Sequence, residues 1–181
     1  MFEVKRIETE MTYGIRHMVL IPYQTMEDCK YDTDKDDKID LLLMQIAKWH
    51  NLIPKLWIDN YEASDIDING TVKRITNTPN KDLFLVIAED DEDNIQGFIW
   101  AYKQEKHQES VMILSLYTGE DYRGQGIATN FKKLLEEWCR LEGIKTIKTT
   151  VHYNNNSMIA LNQKLGYAPG ILYMTKRVYS N

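Results

Sequence analysis

The chain has 181 residues, 43% of them hydrophobic and 27% charged, and a net charge of −5. That length supports one domain with a substantial core, and no apolar run approaches the roughly 20 residues of a membrane span. A chain of this charge with no basic stripe argues against nucleic acid as a main partner, and the charged start MFEVKRIETE does not read as a signal peptide. Cys29 and Cys139 lie far apart and outside any CxxC pair, and the four histidines form neither HxxxH nor HExxH. No disulfide framework and no metal site are expected, and a reducing cytoplasm is the default location.

In chain order, Phe2 to Ile7 suits a first strand. Thr9 to Leu20 carries Met11, Ile15, Met18 and Val19 at helical spacing and is closed by Pro22, which predicts a helix. Gln24 to Asp40 is polar and acidic and predicts a long loop, either a binding loop or a plain insertion. Ile39 to Trp49 predicts a mostly buried helix, interrupted by Pro54. Trp49 and Trp57 fit a core role. Ser64 to Thr76 predicts a weaker helix with Ser64 as its cap, a face of Ile66, Val72 and Ile75, and Gly70 inside at a cost of about 1 kcal/mol.

Thr78-Pro79-Asn80 is a turn. Leu83 to Ala88 is a continuous apolar run of the central-strand type, and the five acids from Glu89 to Asp93 mark a hairpin loop. Ile95 to Tyr102 and Val111 to Leu116 predict two more strands around a polar turn at Lys103 to Ser110. The next helix has Ile127, Phe131, Leu134, Leu135, Trp138 and Cys139 on one face and stops at Gly143. Lys145 to Val151 predicts a strand. Ser157 to Leu165 predicts a short helix capped by Asn155 or Asn156 and stopped by Gly166, and Ile171 to Val178 closing strands around Pro169-Gly170. The mixture predicts an α/β fold, with a sheet covered by helices on its faces.

The junction between the strand at Val111 to Leu116 and the long helix carries the chemistry. It reads Tyr117-Thr118-Gly119-Glu120-Asp121-Tyr122-Arg123-Gly124-Gln125-Gly126-Ile127-Ala128-Thr129. Glycines at a helix opening let backbone N–H groups face outward, and the positive dipole end makes a site suited to a pyrophosphate. A P-loop needs Lys and Ser/Thr where Gln125 and Gly126 stand, and a dinucleotide fingerprint needs a third glycine where Thr129 stands. An ordinary glycine-bearing turn is the alternative. The pattern that fits is R-x-x-G-x-A, at Arg123, Gly126 and Ala128, which resembles the acyl-CoA motif of the GCN5-related N-acetyltransferase (GNAT) superfamily. The run Asn155 to Tyr167, with Lys164-Leu165-Gly166-Tyr167 at its end, resembles that family's second motif, one strand later. The likeness spans about Leu83 to Val178.

That resemblance implies a single GNAT-like domain over 1–181, with a mixed, mostly antiparallel central sheet and helices on both faces. Residues 1–79 would be the divergent acceptor side and 80–181 the acetyl-CoA side. It implies that backbone groups of Leu116, Tyr117 and Thr118 hold the pantetheine arm. Arg123, Gly124, Gln125, Gly126, Ile127, Ala128 and Thr129 would hold the pyrophosphate, with Asn155 and Asn162 near the thiol end and Lys132 or Lys133 at the 3′-phosphate. Many members carry a tyrosine where this chain has Asn162. An amide can donate a hydrogen bond but cannot act as a general acid, so Tyr153 is the first candidate for that role.

The expected activity is acetyl-CoA-dependent transfer to a primary amine of a small molecule or peptide. The alternative is a CoA-holding regulatory module without catalysis. Residues 1–94 hold 11 Lys and Arg against 20 Asp and Glu, a balance of −9, and residues 95–181 hold 11 against 7, a balance of +4. The first half suits a cationic acceptor and the second an anionic cofactor. No membrane partner is expected, and a homodimer is compatible with the reading.

Overall fold

The computed structural model describes residues 5–11, 14–20, 33–90, 92, 94–104, 107–171 and 174, and side chains within them from residue 39 onward apart from 107 and 108. The chain forms two compact units, Met1–Thr150 and Val151–Asn181. The first holds a six-stranded sheet in the order β1 (Lys5–Met11), β2 (Gly14–Leu20), β3 (Leu83–Glu89), β4 (Ile95–Gln104), β5 (His107–Thr118) and β6 (Thr146–Thr149). Neighbours from β1 to β5 are antiparallel, and β6 runs parallel to β5. The fold class is therefore α/β with a mostly antiparallel mixed sheet. No helix among the described residues is long and apolar enough to cross a membrane.

Three expectations give way. Residues 14–20 are a strand, pairing Ile15 with Glu10 and Leu20 with both Lys5 and Val86. The local helical spacing of Met11, Ile15 and Met18 loses to pairing on both sides, which no short window of sequence contains. The helix α1 runs Thr33–Leu52, so 33–40 is helical rather than loop, while 24–32 lies outside the described residues. Acidic residues at the start of a helix suit its dipole, which lets a segment without an apolar face be helical. Ile66 is 83% exposed, and the buried face of α2 (Asp65–Thr76) is instead Thr71 and Ile75, with Val72 partly buried.

The sheet separates two cores. On one face α1 and α2 cover Leu83, Leu85, Ile87, Phe98 and Trp100, with Leu43, Ile46 and Ile75 facing them. On the other, α3 (Ile127–Leu141) lays Ile127, Phe131, Leu135 and Cys139 on Phe84, Val86, Ala88, Ile99, Ala101, Val111 and Ile113. Strands β3 and β4 alternate between these cores, and β3 is buried at every position. Each fully buried Leu, Ile or Phe contributes about 1.5–3 kcal/mol, so this double-sided packing fixes the register of the middle strands. The β3–β4 turn is held by Asp90, whose Oδ1 accepts the N–H groups of Glu92 and Asn94 at 3.0 and 2.8 Å.

In the second unit, α4 (Asn156–Lys164) starts at Asn155, whose Oδ1 accepts the Met158 N–H at 3.2 Å. It ends at Gly166, where φ is +83°. Ile171 and Met174 lie outside strands, and the remaining residues of the expected closing strands, 172, 173 and 175–178, lie outside the described residues.

Candidate active site

Strand β5 is paired differently at its two ends. From Ser110 to Ile113 it has β4 on one side and β6 on the other, where the last pair is Ile113 with Thr149. At Leu114 the β4–β5 register slips by one residue, so that Ala101 faces Ile113 while Trp100 faces Ser115. Such a bulge bends its strand. Beyond it, Ser115 to Thr118 pair with β4 alone, and among the described residues of this unit no strand lies beside their other edge. A Cβ on Gly97 would lie 2.5 Å from the Tyr117 carbonyl oxygen, so that carbonyl is turned toward β4. The backbone groups of Leu116 and Thr118, at the alternate positions, then face the open edge. An extended chain-like ligand could add there in the manner of a strand.

The junction after β5 is short and tightly turned. Gly119 donates to the Gln96 carbonyl at 2.9 Å, Glu120–Tyr122 form one 3₁₀ turn, and Gly124 and Gly126 take φ of +75° and +84°. Arg123 is half-exposed. Its Nε donates to the Thr118 carbonyl at 3.2 Å, and its guanidinium lies 3.6 Å from the exposed Glu120 carboxylate. Gln125 anchors the loop by donating to the Asp121 carbonyl at 3.1 Å.

Helix α3 then begins on Gly126, which has no side chain to cap it, and no acid lies in its first turn. The first amide to find a backbone acceptor is that of Asn130, on the Gly126 carbonyl at 3.0 Å. The amides of Ile127, Ala128 and Thr129 meet no acceptor among the described residues, and Ile127 fixes the start by burying its own side chain. Unsatisfied donors and a positive dipole end, with Arg123 three residues before the helix cap, have the chemistry that suits an anion.

The remaining expected residues divide. Lys132 is buried, and burial pulls its pKa down to about 8 against the opposing pull of Glu136, whereas Lys133 is exposed. Of the two, Lys133 is the one available to an anion in solvent. In the second unit Asn155 caps α4, and Asn162 is buried on that helix with its Oδ1 unpartnered, while its carbonyl accepts the Tyr167 N–H at 2.9 Å. Tyr153 is 71% exposed, its ring 4.5 Å from that of His152. Gly97 escapes a sequence reading, and Trp49, which fits a core role as expected, has a partner that the sequence does not show. Gly97 supports the open edge, and a lone glycine inside a strand is its only signal. Trp49, at the end of α1, packs on Tyr117 with ring centroids 5.0 Å apart and stacks on Phe98 at 6.2 Å.

Residues 45–167, more than half of the chain, match the model of the acetyltransferase (GNAT) family. The chain belongs to that family. The match begins well upstream of Leu83 and takes in the end of α1 and all of α2. Among curated proteins, the chain is 30% identical over 89 residues to the uncharacterized N-acetyltransferase YdgE of Bacillus subtilis, covering 49% of this chain and 57% of that one. It is 28% identical over 104 residues to the L-2,4-diaminobutyric acid acetyltransferase of Shouchella clausii, covering 58% of each. The chain thus spans little more than half the length of these curated relatives. Among solved structures, YycN from Bacillus subtilis superposes with a TM-score of 0.61 at 18% identity, covering 90% of this chain and 99% of that one, a likeness of fold.

Proposed function

We propose that this protein is an acetyl-CoA-dependent N-acetyltransferase that passes an acetyl group directly to a primary amine. The observation that carries the reading is the pairing of an uncapped α3 start with the open half of β5, one a cradle for a pyrophosphate and the other an edge for an extended pantetheine arm. In this reading Arg123 and the 124–129 backbone hold the pyrophosphate and Lys133 serves the 3′-phosphate. Leu116 and Thr118 offer backbone groups to the arm, whereas the expected Tyr117 backbone contact gives way because its carbonyl is turned toward β4. The likeness to the second motif is what supports a role for Asn155 and Asn162 at the thiol end.

The enzyme's main contribution is positioning. The neutral amine attacks the thioester carbonyl, the C–S bond breaks and coenzyme A leaves as thiolate, while the amine's proton passes to a carboxylate through water. A thiol with a pKa near 8.5 is a good leaving group, so either an Asn162 amide donor steadies the thiolate without an acid, or the Tyr153 hydroxyl protonates it. Asn162→Ala is expected to lower kcat modestly and weaken coenzyme binding. Full activity in Tyr153→Phe would remove that hydroxyl from the mechanism.

The acceptor fits a cationic amine, as the −9 of residues 1–94 suggests and as the diaminobutyric acid acetyltransferase relative illustrates. Its KM should rise with ionic strength, because screening shortens to about 8 Å at physiological salt. A KM indifferent to salt, or a preference for neutral hydrophobic amines, argues against a cationic acceptor. Mixing the protein with acetyl-CoA and a panel of amines, and assaying free thiol, tests the central reading. Asn162 at the usual acid position favours one competing reading, a CoA-holding module without catalysis. That reading is supported if coenzyme A raises the melting temperature while no amine releases thiol.

A further inference from the structure

On the sheet face covered by α1 and α2, three buried polar atoms have no partner among the described residues: Trp100 Nε1, His50 Nδ1 and Ser115 Oγ. They come from three elements yet gather at one place. The His50 ring meets that of Trp100 edge-on, with centroids 5.2 Å apart, and Ser115 faces Trp100 across the β4–β5 pair. Trp100 is 1% exposed and Ser115 4%. Above them, the exposed Arg74 holds its guanidinium 5.6 Å from the Trp100 ring centroid and 5.4 Å from that of Tyr102. No carboxylate among the described residues pairs with it.

Buried polar groups left unmade cost about 1–3 kcal/mol apiece, so a ligand group that pairs with these three would be held firmly. The cluster can present an indole N–H, a hydroxyl, an imidazole and one guanidinium, with no acid among them. Burial and Arg74 hold the His50 pKa below its ordinary 6.5, so the ring is neutral at pH 7 and the cluster carries the single positive charge of Arg74. One positive charge ringed by neutral donors matches one carboxylate better than a phosphate.

We propose that Arg74, His50, Trp100 and Ser115 form the carboxylate subsite of the acceptor, which makes the substrate an amino acid bearing a second amine. This rests on reading the chain as an acetyltransferase. Ser115 lies two residues before Tyr117 on the open half of β5, about 7 Å along the strand, and Trp49 and His50 place the end of α1 over both positions. A diamino acid held by its carboxylate at Arg74 would reach toward the open edge with its distal amine.

The test compares matched pairs that differ only by the carboxylate, L-lysine with cadaverine and L-ornithine with putrescine, as acetyl acceptors. The parent is expected to favour the amino acids in kcat/KM. Arg74→Gln should reduce that preference about tenfold, as expected for loss of a charge-assisted hydrogen bond, with Arg74→Lys retaining part of it and Ser115→Ala lowering it less. A parent without preference, or a preference that survives Arg74→Gln, overturns the proposal. Melting curves of the variants separate loss of the subsite from loss of the fold. Should no amine accept an acetyl group, the transferase reading fails by itself. Calorimetric binding of lysine against cadaverine to parent and Arg74→Gln then decides the subsite, with tighter lysine binding by the parent alone supporting it and equal affinities overturning it.

Discussion

Helices α2 and α3 start in opposite ways. Ser64 accepts the Asp67 N–H at 3.2 Å while Asp67 Oδ2 accepts the Ser64 N–H at 3.3 Å, so the opening of α2 is closed by its own side chains. Helix α3 opens on a left-handed glycine and leaves its first amides unmet. Both ends carry the same dipole, and the difference lies in whether the chain satisfies it. A capping box stabilises a helix and uses up its donors. A glycine forgoes that stabilisation and keeps the donors for something else.

The largest break in this contrast comes from supplying α3 with the acid it lacks. Gly126→Asp places a carboxylate among the amides, and Asp tolerates a left-handed φ better than most residues. Coenzyme A should raise the parent's melting temperature by mass action, and in Gly126→Asp that rise is expected to vanish. If the variant still bound coenzyme like the parent, the junction would not be the phosphate site.

Gly97→Ala acts next, through the open edge rather than the helix end. Its Cβ would meet the Tyr117 carbonyl at 2.5 Å and Thr118 Cα at 3.2 Å, both backbone atoms that can yield only by shifting β5. A loss of about 1–3 kcal/mol in denaturant stability is expected, with weaker coenzyme binding by calorimetry. Parent-like values for both would show that the edge adjusts freely.

Ser64→Ala is the counterpart to Gly126→Asp. It should cost about 1 kcal/mol and leave the coenzyme-induced melting shift as it was, since α2's start serves only itself.

The smallest effect concerns Cys139, buried on the inner face of α3. Burial, with Glu136 adding to it and Lys103 opposing, raises its pKa from 9.0 to about 11. The protonated thiol therefore favours the folded state below about pH 9, and this contribution is lost as pH rises from about 9 to about 11. Near neutral pH the folded protein should resist a thiol reagent at Cys139, and quick labelling there without denaturant would show that α3 opens locally.

How legible all this was in the sequence follows from range. Strands β3 to β6, α3 and α4 carry their signals within a dozen residues: continuous apolar runs, a helical face at Ile127, Phe131 and Leu135, and glycine stops with positive φ at Gly143 and Gly166. The R-x-x-G-x-A spacing located the junction because its chemistry is local too. Residues 14–20 carry a local helical spacing but are held as a strand by β3, more than sixty residues away. Burial of Lys132 beside Phe131 was equally hidden, since its place on the helical wheel lies at the margin of the apolar face. Gly97 and Trp49 mattered through contacts with Tyr117, and contacts between distant positions leave no mark in spacing.

The parallel seam between β5 and β6 bears on how the protein assembles. The meander from β3 to β5 closes hairpins between near neighbours, whereas Ser110 meets Thr146 only after the chain has passed through all of α3. Closing the longer loop costs more entropy and should come later, once α3 has docked on the meander. The notch where β6 stops short of β5's end is then among the last features to form. Pulse-labelling hydrogen exchange during refolding should find the amides of Thr146–Thr149 protected after those of Leu83–Glu89.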